Sequence, residues 1–406
     1  MFILFRVKNF RSLRDEVEFS AVKRGQSKEL SENCFHAEGM PSAMSLLKSS
    51  VIYGGNASGK SNLVSAVSTM QSVVRHRGVE DAHAKSLLEP FRLSDETIVA
   101  PILFEMELVA KGRRYRYGFE CTRERIVSEW LYAQKQRMTL MFAREGGEFV
   151  ASSPEFSELT AWRKILADTK LSLPPDALFL STAARMFAGG ACEAVQTWFE
   201  DTLVVLSAET YHRYLATTFR AMQDVEQARR ISRLIAKADF GIHSVEALEQ
   251  ETPDGRAAIG TNHLVGERTY RLDMFRDESA GTQKVFALSA SLLDVLKHGK
   301  ALFIDELDAS LHPLLVAQLV ELFHNDNPAN AQMLATAHSP SLLTESTFRH
   351  DQVWFASKEA DGATRLVSLA DFTGIRGNFT RIVKDYLHGC FGGVPYIKNL
   401  RTEDDA

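Results

Sequence analysis

The residues with the plainest chemistry form one unbroken run: Gly54, Gly55, Asn56, Ala57, Ser58, Gly59, Lys60 and Ser61. They satisfy the phosphate-binding pattern G-x-x-x-x-G-K-[ST] at every fixed position. Glycines let backbone N–H groups converge on phosphate oxygens, and a helix starting at the loop adds its positive dipole end. In such a loop Gly54, Asn56, Ala57, Ser58, Gly59 and the following Asn62 surround the phosphates. Lys60 reaches the β- and γ-phosphates, and the Ser61 hydroxyl ligates Mg²⁺. The flanks agree with this. Val51-Ile52-Tyr53 reads as a buried strand, and Asn62 to Met70 carries Leu63, Val64, Ala66, Val67 and Met70 at helical spacing. The run predicts a nucleoside triphosphate site.

A second constellation lies far downstream. Ala301-Leu302-Phe303-Ile304 is a continuous apolar run of the kind that forms a buried parallel strand, and it ends in Asp305-Glu306. At the C-terminal edge of such a strand Asp305 can hold the Mg²⁺ shell while Glu306 orients and deprotonates an attacking water. Leu307-Asp308-Ala309-Ser310-Leu311-His312-Pro313 follows, and a second apolar strand from Gln332 to Ala337 ends in His338-Ser339-Pro340. Upstream, Asp277-Glu278-Ser279-Ala280-Gly281-Thr282-Gln283-Lys284 leads into a helix. Ser279 falls in the N-cap region, and the small pair Ala280-Gly281 permits close backbone approach to an anion.

Strand, acid pair, loop, helix, strand and terminal histidine is the order of an ABC-type ATPase, which this chain resembles. The resemblance implies that His338 contacts and senses the γ-phosphate. It also implies that the segment around Ser279 and Gly281 is a degenerate signature sequence, completing the ATP site of a second protomer. The opening Phe5-Arg6-Val7-Lys8-Asn9-Phe10-Arg11-Ser12 is similar to the start of the RecF/SMC/OLD-like branch, where the matching asparagine and arginine approach the phosphates. That implicates Asn9 and Arg11. The set resembles stand-alone AAA-family ATPases (AAA_15/AAA_21 type) of bacterial phage-defence and abortive-infection operons. The signature departs from the transporter form at Ala280 and Thr282, no Q-loop glutamine is placed between residues 90 and 110, and Gln71 reads as a surface residue.

The elements that must position these groups imply an α/β fold. It is a P-loop NTPase with an ABC-type head, a mixed or parallel core sheet flanked by helices, and a small antiparallel sheet. Alternation over Ile102–Leu108 and Arg114–Phe119 about a Lys111-Gly112 turn predicts a hairpin of that small sheet. Residues 1–149 and 251–406 are expected to form the head, and 150–250 an inserted, mainly helical lobe with one helix over 218–238. Sustained heptads are missing there, so no long coiled-coil arm is expected.

At 406 residues, 45% hydrophobic and 24% charged, the composition is that of a globular protein with a sizeable core. A net charge of −5 gives no global basic field, so nucleic acid, if bound, meets a local patch. Four scattered cysteines without a CxxC pair point to free thiols in a reducing cytoplasm. No apolar stretch approaches about 18–20 residues, so no membrane span is expected. The N-terminal residues read as a strand and not as a signal peptide. The expected protein binds ATP and Mg²⁺ and hydrolyses ATP, using Glu306, His338 and Lys60. It associates with itself as an ATP-dependent homodimer or higher oligomer, and switches a separate effector protein in antiphage defence. The rival reading is a DNA-repair or recombination ATPase of RecF type that binds DNA directly.

Overall fold

The computed structural model describes residues 1–25, 29–134, 137–169, 172–238, 241–251, 257–344, 346–372 and 379–392. The tail residues 402–406 and the segment 393–396 lie outside the described residues.

Uninterrupted burial marks the centre of the molecule. Every residue of Ser49–Tyr53, Ala301–Ile304 and Gln332–Ala337 is buried. Strands buried on both faces need helices on both sides, which parallel pairing with crossover connections supplies. The three are neighbours in a six-stranded sheet ordered Leu203–Leu206, Ala301–Ile304, Gln332–Ala337, Ser49–Tyr53, Val353–Lys358, Thr364–Ser368. The first five run parallel and the last is antiparallel. The histidine-bearing strand thus lies between the P-loop strand and the acid strand, and all three end on one edge.

A seven-stranded antiparallel sheet covers one side. Its central hairpin pairs Ile102–Ala110 with Arg113–Cys121, turning at Lys111 and Gly112 with φ of 48° and 68°. Two consecutive positive φ values are the mark of a type I′ turn. Phe2–Lys8 is next in the sheet, which continues to Val17–Ser20. The P-loop helix, Lys60–Arg75, is sandwiched between the two sheets. Its Leu63, Val67 and Met70 share one apolar cluster with Phe5, Phe104 and Tyr117 from one sheet and Phe303 and Leu334 from the other. Phe2 meets Phe303 edge-on at 5.1 Å between ring centroids, and Phe19 meets Trp354 at 5.1 Å. Side chains of this size contribute roughly 2–3 kcal/mol each on full burial, so the helix is fixed from both sides.

The segment 150–250 departs from expectation. It is largely helical, but Leu203–Leu206 pairs in parallel with Ala301–Ile304 as the edge strand of the core sheet. Phe179, Trp198 and Phe199 belong to the same apolar cluster as the P-loop helix. The segment thus contributes a strand and apolar side chains to the core around the P-loop helix. The helix expected over 218–238 is two helices, Tyr211–Ala221 and Val225–Lys237, because Asp224 accepts from Gln227 N at 2.9 Å and caps a new start. Gln71 is buried, not exposed; its amide donates to Phe199 O at 2.8 Å and Leu203 O at 2.7 Å, tying that edge strand to the P-loop helix. A three-stranded sheet, Ile242–Glu251, Ala257–Val265 and Arg268–Asp273, precedes the helix Ala280–His298 and was not legible in the sequence. Among the described residues no helix is long and apolar enough to cross a membrane.

Candidate nucleotide site

The phosphate loop is shaped by what its glycines leave out. A Cβ on Gly54 would sit 2.5 Å from both Ala356 O and Ser58 Oγ; on Gly59, with φ of 100°, it would meet Thr364 Oγ1 at 2.0 Å. Ala57 also takes a positive φ, 61°. Lys60 is buried and donates to Gly54 O at 2.6 Å and Gly55 O at 3.0 Å, so its ammonium is folded over the loop's own carbonyls. Burial pushes its pKa down, while the charges of Asp305, Asp308 and Glu306 push it back up. The Ser58 hydroxyl is buried in the loop without a hydrogen-bond partner.

Asn62 donates to Ser12 Oγ at 2.7 Å. Ser12 shares a hydrogen bond with Thr364 Oγ1 at 2.7 Å, and Thr364 Oγ1 donates to Ser58 O at 2.9 Å. Ser12 and Thr364 therefore brace the loop from behind, and Asn62 joins that brace. Thr364 gave no signal in the sequence; Ser12 was visible only as a neighbour of Arg11.

The structure commits Asn9 and Arg11 elsewhere. Asn9 is 2% exposed, and its amide donates to Thr97 O and Ala100 O at 2.8 and 3.0 Å and accepts from Phe91 N at 3.1 Å. With both ends of the amide used, Asn9 organises the 91–101 loop, which corrects the expectation that it meets phosphate. Arg11 is paired with Glu89 at 3.1 Å and Glu209 at 3.3 Å.

The acid turn is held by a threonine that the apolar pattern concealed. Thr336, fully buried in the histidine strand, donates from Oγ1 to Asp305 Oδ1 at 2.5 Å and accepts from Glu306 N at 2.7 Å. Glu306 has a φ of 50°, a left-handed conformation uncommon outside glycine. Its side chain is 52% exposed and lies 3.7 Å from His338 Nε2. Asp308 accepts from His338 N at 2.8 Å and Ser339 N at 2.6 Å, fixing the base of the histidine loop. Strand order thus brings Lys60, Asp305, Glu306 and His338 together.

Ser279 caps the signature helix, Ala280–His298, accepting from Thr282 N at 3.2 Å, and Ser279 and Ala280 are exposed. Gly281 is buried against the acid turn: a Cβ there would lie 2.6 Å from Ser310 O. A separate cleft of about 560 Å³, lined by Arg75, His83, Arg213 and Glu209 among others, contains none of the loop residues Gly54 to Ser61.

A P-loop with a two-carboxylate turn one strand removed, a histidine between them and an antiparallel sheet over the P-loop helix together define an ABC-type P-loop head. A protein family described as "AAA domain, putative AbiEii toxin, Type IV TA system" (AAA_21) matches residues 49–163 and 192–344, well over half of the chain. The chain belongs to this AAA family. Among solved structures it is similar to an SMC head bound to the C-winged helix domain of ScpA (15% identity, TM-score 0.47, covering 90% of this chain and 97% of that one). It is also similar to the SMC head domain from Thermotoga maritima (13%, 0.40, 90% and 98%). A third is the Pyrococcus furiosus Smc head with an extended coiled coil bound to the C-terminal domain of ScpA (13%, 0.42, 95% and 98%). No curated protein matches the sequence.

Proposed function

We propose that this chain binds and hydrolyses ATP with Mg²⁺, and that nucleotide draws two copies together as a switch for a separate effector in bacterial antiphage defence. The observation that carries it is the convergence of Lys60, Asp305, Glu306 and His338 at adjacent strand ends beside a loop in which Gly54 and Gly59 leave no room for a Cβ. The family's toxin–antitoxin description supports the defence setting.

ATP phosphates take the place of the Gly54 and Gly55 carbonyls as partners of the Lys60 ammonium. The Ser61 hydroxyl and the Asp305 carboxylate are hard oxygen donors, a set that suits Mg²⁺, and they would hold it. When bound, the ion neutralises charge on the phosphate oxygens. Glu306, exposed and held by its backbone, orients the attacking water and takes its proton. His338, whose Nε2 lies 3.7 Å from the Glu306 carboxylate, registers the γ-phosphate and steadies that carboxylate. Arg11 joins the phosphates only by exchanging Glu89 and Glu209 for nucleotide oxygens. The exposed helix start at Ser279 serves the nucleotide of the second copy, with Gly281 keeping the helix close to its own acid turn.

Glu306→Gln tests this directly. It retains ATP binding, slows phosphate release by roughly 100-fold or more as expected on losing a positioned base, and accumulates the dimer with ATP. Near wild-type turnover in the variant would remove Glu306 from the reaction.

A further inference from the structure

Lys284 lies one turn into the signature helix, yet its ammonium points into the turn that carries the acids. Nζ donates to Glu306 O at 2.6 Å and Ala309 O at 2.8 Å, with Leu307 O at 3.4 Å. The contact is close along the whole join, since Gly281 of the same helix abuts Ser310 O. The turn needs such restraint: Glu306 and Ser310, neither of them glycine, hold φ values of 50° and 61°. Glu306 is then clamped at both of its peptide groups. Thr336 takes its N–H and Lys284 takes its carbonyl, which leaves only the exposed side chain free to turn toward His338. Burial lowers the pKa of Lys284, and Asp308, Glu306 and Asp305 oppose that, as expected for a cation seated among the site's acids.

We propose that Lys284 is a positioning residue for hydrolysis that acts in cis, aiming Glu306 of its own chain at that chain's own nucleotide. This inference rests on reading the site as a composite ATPase site. The signature helix then has two duties. Ser279 at its start serves the partner's nucleotide, and Lys284, five residues on, sets the acid of its own site. One rigid helix links the two sites of the dimer, so engagement of one bears on the geometry of the other.

The test uses full-length Lys284→Met, Lys284→Arg, Lys60→Ala and Ser279→Arg proteins. Lys284→Met should bind a fluorescent ATP analogue within about threefold of wild type while turnover at saturating ATP falls at least tenfold. Lys284→Arg should recover part of that loss by restoring a cationic donor. Subunit mixing then separates cis from trans. Lys284→Met mixed with Ser279→Arg should regain about a quarter of wild-type turnover, the share expected when half the dimers each hold one intact site. Lys284→Met mixed with Lys60→Ala should stay at background, because each chain spoils the site of its own P-loop. Recovery with Lys60→Ala instead would place Lys284 in trans and overturn the proposal. So would recovery with neither partner while Lys60→Ala mixed with Ser279→Arg does recover, which marks a folding defect, or wild-type turnover in Lys284→Met alone. A wild-type chain that hydrolyses no ATP would sink the ATPase reading itself, a result distinct from all of these.

Discussion

Thr336→Val removes one hydroxyl from the centre of the site and changes almost nothing else in size. That hydroxyl donates to Asp305 Oδ1 at 2.5 Å and accepts from Glu306 N at 2.7 Å, on a residue with no exposed surface. Loss of a hydrogen bond to a charged group costs about 1.5–3 kcal/mol, and an orphaned buried N–H about 1–3 kcal/mol. Glu306 is half exposed, so water reaches the turn and recovers part of this, leaving about 2–3 kcal/mol of unfolding free energy. The same slackening of Asp305 and Glu306, worth about 1.4–3 kcal/mol in the barrier, lowers turnover about ten- to hundredfold. Thr336→Ser keeps the hydroxyl and should stay close to wild type in both respects. Urea unfolding and phosphate release at saturating ATP measure the two effects. A valine variant within about 0.5 kcal/mol and twofold of wild type would mean that the hydroxyl holds nothing.

Two further outcomes follow from single residues. His324 is buried with Nε2 2.7 Å from Ser49 Oγ, and burial draws its pKa down to about 4. The unfolded chain, with histidine near 6.5, binds the extra proton between these values, so stability falls as pH drops through that window. Wild type should lose about 2 kcal/mol between pH 7 and pH 5 that His324→Gln does not, as read by denaturant unfolding at each pH; equal losses would contradict it. Asp224→Ala removes the cap that divides the two helices and should cost about 1 kcal/mol in thermal unfolding, whereas an unchanged transition would show that the cap is idle.

The sequence revealed what is local and periodic. The loop Gly54 to Ser61, the strand Ala301–Ile304 with its acid pair and the strand before His338 are each short runs whose chemistry and hydrophobicity stand together. Their mutual placement followed because buried parallel strands admit few orders. What stayed hidden depends on contacts across long separations. Thr364 reaches the P-loop from more than 300 residues away. Thr336 looked like one more strand residue, and Lys284 carried no signal beyond its place at the start of a helix. Asn9 was assigned to phosphate by resemblance, but burial and three backbone partners turn it into a loop organiser. The edge strand Leu203–Leu206 within the segment 150–250 was missed because it pairs with a strand almost 100 positions later, an event no local pattern announces.

The central claim is that each ATP is hydrolysed between two copies, with the loop and acids of one and the signature helix of the other. Lys60→Ala spoils the loop of its own chain, and Ser279→Arg spoils the exposed helix start that the proposal assigns to the partner's nucleotide. Either homodimer alone has two defective sites. Mixed, half the dimers regain one intact site, and turnover should rise from background to about a quarter of wild type. Turnover that remains at background after subunit exchange has been verified would contradict the account and place the whole reaction within one chain.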